Sequence, residues 1–194
     1  MLSIILPHLS TAAPVPLFKK YLEENTVNKY ELIEVIDWTD VYGAYNHGAS
    51  LAQYDKIILM NDDMFVAPGW DINFEKYIQP YTYVTMYLVE SGFISVNQRM
   101  IEYDCGRTLD TFDYQKFIDF TKSIEQTTPE LEIGKAGAWM PVGFHKQTWI
   151  PFPNEIKYPH ANDIELMDKT LPSLGYIPLK VKSFAYHLQG YSRR

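Results

Sequence analysis

What most constrains this chain is the spacing of three short apolar runs in its first third: Leu2-Ser3-Ile4-Ile5-Leu6, Glu31-Leu32-Ile33-Glu34-Val35-Ile36 and Lys56-Ile57-Ile58-Leu59-Met60. The third run is continuous and partly β-branched, the pattern of a strand buried on both faces. Between the first two, from Leu17 to about Thr26, Leu17, Tyr21 and Leu22 recur among Lys and Glu at helical spacing, with Pro16 placed for a helix start. Between the second and third, Asp40 is a natural N-cap for a helix through Gln53, although Gly43 and Gly48 lie inside it. Helical connections between short apolar strands predict β-α-β-α-β with parallel strands and right-handed crossovers.

Each strand then delivers polar residues to one edge. The first ends at Pro7, the second at Asp37-Trp38-Thr39-Asp40, and the third runs into Asn61-Asp62-Asp63 before Pro68-Gly69. Ligands of open α/β sheets collect beyond the carboxyl ends of the strands. Paired carboxylates there can hold a hard divalent cation, which in turn can hold a diphosphate. Asp and Asn also simply terminate strands, so the motif alone leaves both readings open. No glycine fingerprint follows the first strand and no Gly-Lys phosphate loop occurs. A phosphate ligand would need another source of positive charge.

At 194 residues the chain is expected to form one domain over 1–194, with residues 1–70 as an α/β half of nucleotide-binding type and 71–194 as a second half, which the family resemblance given below makes the acceptor side. The net charge of −7 argues against a nucleic-acid binder with a broad basic face, but not against a nucleotide carried with a metal. Cys105 is the only cysteine, which excludes an intrachain disulfide and predicts a reducing compartment. The apolar start has no basic region and is broken at Pro7, and no run is long enough to span a membrane. A cytoplasmic location is the expectation.

The second half is less periodic. Trp70 to Ile78 reads as a helix, Tyr81 to Val89 as a strand, and Asp113 to Thr127 as an amphipathic helix with Tyr114, Phe117, Ile118 and Ile124 on one face. Ser91 to Asp110 shows no period. Gly134 to Phe144, small and apolar around Trp139, reads as a strand entering the core. A proline-rich loop from Ile150 to Pro159 precedes a helix that begins at Asn162-Asp163 and ends at Gly175. Tyr176 to Leu179 and Val181 to Tyr186 read as two late strands, with His187 closing the last.

Taken in order, these pieces resemble the GT-A glycosyltransferases, especially the inverting family 2 type. The carriers are Ser3-Ile4-Ile5-Leu6-Pro7; Val35-Ile36-Asp37; Tyr45-Asn46-His47-Gly48; Ile58-Leu59-Met60-Asn61-Asp62-Asp63 with Pro68-Gly69-Trp70; Asn162-Asp163-Ile164-Glu165-Leu166 with Gly175-Tyr176; and Ala185-Tyr186-His187. No piece is specific alone; the collinear order is. The resemblance implies a Rossmann-like three-layer α/β/α sandwich with a mixed, mainly parallel sheet. It also implies transfer of a sugar from a nucleotide-diphosphate donor to an acceptor hydroxyl, with inversion.

The resemblance assigns roles to individual residues. Asp63 would hold Mn²⁺ or Mg²⁺, with His187 as a second ligand or phosphate contact and Asp62 as a helper. Asn61 stands where the family has the first acid of its Asp-x-Asp motif, and would meet the ribose or donor sugar as an amide. Asp37 would accept from the nucleobase, and Pro7, His8 and the residues to Thr11 would line its pocket beside Asn46. Uridine diphosphate is favoured by family frequency. Asp163 is the expected general base, removing the acceptor's proton. Each has a bland counterpart. Asn162 and Glu165 make a helix-entry signature, Asp37 can be a strand-ending acid, a histidine at a strand end is commonly structural, and Trp70 or Trp139 can be core rather than sugar-stacking. A sugar-nucleotidyltransferase would need a glycine-rich basic loop after the first strand, and His8 to Pro16 contains no Gly, Lys or Arg. A non-catalytic nucleotide- or glycan-binding module of the same fold is the alternative that Asn61 keeps open. The acceptor, whether glycan, lipid-linked or protein, is not specified.

Overall fold

The computed structural model describes residues 1–92, 99–153 and 162–188. The strands are β1 (Leu2–His8), β2 (Tyr30–Ile36), β3 (Lys56–Leu59), β4 (Met64–Val66), β5 (Thr82–Glu90), β6 (Met100–Glu102), β7 (Leu131–Ile133), β8 (Val142–His145) and β9 (Ile177–His187). Helices α1 (Val15–Asn25) and α2 (Val41–Leu51) connect β1 to β2 and β2 to β3. Further on come α3 (Trp70–Tyr77), α4 (Tyr114–Glu125), and a helix made of α5 (Asn162–Ile164), a π-helical stretch (Glu165–Thr170) and α6 (Leu171–Ser173). Among the described residues no helix is long and apolar enough to cross a membrane.

One mixed sheet, ordered β2-β1-β3-β8-β5-β9-β4, runs through both halves of the chain. The long registers, β1 with β2 and β5 with β9, are parallel, and β1 also pairs β3 in parallel. Strands β8, β4 and β7 attach antiparallel. The two central strands change partners midway. β5 meets β8 at Tyr83–Thr85 and β6 at Leu88–Glu90, while β9 meets β7 at Leu179–Val181 and β4 at Ala185–His187. Stepping out to β2 and back past β1 to β3 with right-handed crossovers puts α1 and α2 on opposite faces.

Local chemistry explains where the elements depart from the sequence reading. β1 continues through Pro7 to His8. Ile5 bonds toward β3 and His8 toward β2, so Pro7 faces the side that β3 has already left, where its missing N–H breaks no ladder. Helix α2 is unbroken despite its glycines, and both have reasons. A Cβ on Gly43 would lie 2.5 Å from Oδ2 of Asp40, whose Oδ1 caps the helix by accepting from Gly43 N at 2.6 Å. A Cβ on Gly48 would lie 2.3 Å from Ile5 Cγ2, so glycine lets α2 lie close on β1.

Other expectations need correction. Gly134 to Phe144 is not one core strand: only Val142–His145 is extended, and Trp139 is half-buried beneath Arg99, 5.0 Å from the guanidinium carbon. The late strands are a single one, β9, and β4 was not foreseen. Trp70 is core, with Nε1 donating to Thr26 Oγ1 at 3.0 Å, which removes it as a sugar-stacking candidate. Asn162 stands inside α5 as its first residue rather than before it. Most of the proline-rich loop from Ile150 to Pro159 lies outside the described residues.

Candidate active site

Strands β1, β2, β3, β5 and β9 all point the same way, so their carboxyl ends share one edge. That edge brings together His8, Asp37, Asn61 to Asp63, Glu90 and His187 from positions scattered along the chain. Asp63 lies just before β4, whose antiparallel pairing sets Met64 opposite His187, and Leu188 N donates to Asp63 O at 3.0 Å. Its side chain is 0% exposed, yet both carboxylate oxygens lack a hydrogen-bond partner among the described residues. His187 Nε2 is 3.5 Å from Asp63 Oδ2. On the other side of the ring, Nδ1 is 2.5 Å from Oε1 of the buried Glu90. Burial works against a charged imidazole, but Asp63 and Glu90 flanking it prevail and raise the His187 pKa to about 10.

Asp62 is half-buried beside Asp63. Burial, and then the neighbouring charge of Asp63, raise its carboxyl to about 6, against smaller opposing effects of its own backbone and His8. Asn61 is oriented from behind by the buried Tyr45 of α2, whose hydroxyl donates to Asn61 Oδ1 at 2.5 Å. Reversing the amide would strand the phenol proton, so Oδ1 faces Tyr45 and the Nδ2 hydrogens face away from it. Burial, followed by the charges of Asp63 and Asp62 with smaller contributions from Tyr42 and Asp163, pushes the Tyr45 phenol well above its ordinary range.

Asp163 belongs to the same neighbourhood. Its carboxylate accepts from Ile164 N at 2.8 Å and hydrogen-bonds the Tyr42 hydroxyl, whose ionisation burial and then Asp163 push upward. The helix carrying Asp163 is braced through Asp168, which takes a bidentate contact from Arg99 at 3.0 Å on each nitrogen and the Trp139 Nε1 proton at 3.4 Å. The other candidates are engaged elsewhere. His8 places Nε2 3.0 Å from Glu34 Oε2 and Nδ1 2.8 Å from Leu9 O, a sideways tie to β2. Pro7 is a half-buried rung opposite Val35. Asp37, in the left-handed region at φ 54°, accepts from Ser10 N at 2.8 Å; that backbone bond, with the Ser10 side chain, holds its carboxyl below the usual range. One oxygen of Asp37 thus closes the loop after β1. Asn46 uses both ends of its amide on Phe152, donating to O at 3.0 Å and accepting from N at 2.8 Å. It braces α2 against the loop after β8, a structural task in place of the expected ligand contact.

The residues present fit a hard divalent cation on one observation: a fully buried carboxylate that accepts no hydrogen bond among the described residues, 3.5 Å from an imidazole nitrogen. A buried carboxylate costs several kcal/mol unless a positive charge stands beside it; the charged imidazole of His187 supplies one, and a cation held by Asp63 and a neutral His187 would supply a stronger one. Glu90 stands behind the imidazole, and among the described residues no three His, Cys, Asp or Glu side chains converge as a complete metal cage. Such an edge can supply two protein ligands and leave further positions for phosphate oxygens and water. Sequence reasoning missed Glu90, Tyr42 and Tyr45 as members. The available signal for Glu90 was a lone acid closing the otherwise uncharged run from Thr82 to Val89. In comparison with known proteins, no family model and no curated protein matches the chain.

Proposed function

We propose that this chain is a metal-dependent glycosyltransferase of GT-A type that moves a sugar from a nucleoside-diphosphate donor to an acceptor hydroxyl. The observation that carries the reading is the buried carboxylate of Asp63, which accepts no hydrogen bond among the described residues and lies 3.5 Å from His187 at the shared carboxyl edge of the parallel strands. A Mn²⁺ or Mg²⁺ ion held there would supply the positive charge that a departing diphosphate needs, in a chain with no phosphate-binding glycine loop. Imidazole ligation favours Mn²⁺, since Mg²⁺ prefers oxygen donors. Asn61 would meet an oxygen of the donor through its Nδ2 hydrogens, and Asp37 would offer its second oxygen to the base. Asp163 would take the proton of the acceptor hydroxyl as that oxygen attacks the anomeric carbon, giving inversion.

Isothermal titration of uridine diphosphate with and without Mn²⁺, on the parent and on Asp63→Ala, tests the reading. The parent is expected to bind more tightly with Mn²⁺, and Asp63→Ala to lose that increment while remaining folded. Equal affinity of parent and variant in Mn²⁺ would remove this site from consideration. A donor-hydrolysis assay on the same samples separates an enzyme from a module that binds the nucleotide without turnover.

A further inference from the structure

We propose that Glu90 positions His187 for metal binding, and so sets the affinity of this edge for a divalent cation; the proposal rests on the metal reading above. The parallel register of β5 and β9 puts Glu90 directly opposite His187. Glu90 is 1% exposed, and its Oε1 lies 2.5 Å from Nδ1 of the imidazole, while Nε2 on the far side of the ring lies 3.5 Å from Asp63 Oδ2. With Nδ1 donating to Glu90, the ring plane is fixed and Nε2 is the nitrogen left for the Asp63 side. Metal-binding histidines characteristically donate their other N–H to a carboxylate, which orients the ring and raises its basicity. Holding the two strands together does not require this contact, because β5 and β9 are already paired from Thr82 opposite Ile177 to Glu90 opposite His187. A carboxylate buried at the end of that ladder costs desolvation that an apolar residue would avoid. The imidazole of His187 offsets part of that cost.

The test compares the parent with Glu90→Met, Glu90→Ala and Glu90→Gln, using two readouts that need no turnover. The first is the proton spectrum, where a short Nδ1–H···Oε1 bond gives a far-downfield resonance, assigned by its loss in His187→Ala. The second is Mn²⁺ affinity, measured by the paramagnetic signal of free Mn²⁺ without nucleotide. Glu90→Met fills similar volume without an acceptor and guards against a folding defect in Glu90→Ala. Both should lose the resonance and weaken Mn²⁺ binding by about 10- to 100-fold, the usual effect of removing such a partner. Glu90→Gln keeps an acceptor and should retain the resonance and most of the affinity. Persistence of the resonance in Glu90→Met, or unchanged Mn²⁺ affinity in a parent that binds the ion, overturns the role of Glu90 alone. A parent that takes up no Mn²⁺ overturns the metal reading and the proposal together.

Discussion

At the scale of single residues, the edge of the sheet separates groups by what surrounds them. Asp62 and Asp63 are adjacent, yet Asp62 is half-buried while Asp63 is wholly buried with no hydrogen-bond donor among the described residues. Asn61 completes the row as an amide whose oxygen is occupied by Tyr45, so it offers hydrogens where a third carboxylate would offer charge. Asn61→Asp should therefore tighten Mn²⁺ binding and weaken metal-free binding of uridine diphosphate; opposite changes in the two titrations are the expected result, and parallel changes would refute the donor role of the amide. Asp163 makes a different contribution. A base touches the acceptor and not the diphosphate, so Asp163→Asn should leave donor affinity near the parental value and slow transfer by about 10²–10⁴-fold. Transfer at the parental rate would move attention to Glu165, two positions on and exposed.

At the scale of elements, close packing and bracing place those side chains. Tyr42 and Tyr45 face the site because α2 lies tightly on β1, and Gly48 permits that approach. In Gly48→Ala, better helix propensity adds about 1 kcal/mol, but the new methyl must displace the stiff, buried Ile5, and overpacking costs about 1–3 kcal/mol. Net destabilisation is expected, read as a lower urea midpoint at unchanged slope. The helix bearing Asp163 is held by buried Leu166 and Met167, by the Tyr83 hydroxyl donating to Met167 O, and by the Arg99–Asp168 contact within its π-helical stretch, an irregularity common near functional sites.

At the scale of the molecule, one sheet unites what the sequence read as two halves, and charge pairing ties its far edge. Glu132 on β7 accepts from Lys135 and Tyr87 and pairs with Lys180 on β9, contacts that hold its carboxyl down at about 2 from an ordinary 4.5. A depressed folded pKa means that this stabilisation is complete above the unfolded value and is lost as pH falls through the folded one. Acid unfolding of the parent should therefore show a Glu132-dependent loss between pH 4.5 and 2, and Glu132→Gln should flatten the curve in that window. Identical pH dependence for the two proteins would show that the carboxylate is as free in the folded chain as in the unfolded one.

Sequence alone determined the parallel β1-β2-β3 core, because two-sided burial makes continuous apolar runs and helical connections leave few topologies. It also put Asp63 at a strand end, while His187 and Asp163 were singled out only through the family resemblance; the structure sets His187 3.5 Å from Asp63 and Asp163 against Tyr42. Tertiary structure alone decided the rest. β8 enters antiparallel between β3 and β5, and β4 is three residues long, too short to carry a period of its own. Asn46 and His8 are polar residues near the right edge, but their partners, Phe152 and Glu34, are chosen by packing across the chain. Glu90 shows the reason most directly. Its neighbour His187 is 97 positions away, and only the register of β5 on β9 makes a lone acid at a strand end the other half of a buried pair. Local pattern encodes which face a residue takes; which distant group it meets there is set by how strands align when the core closes.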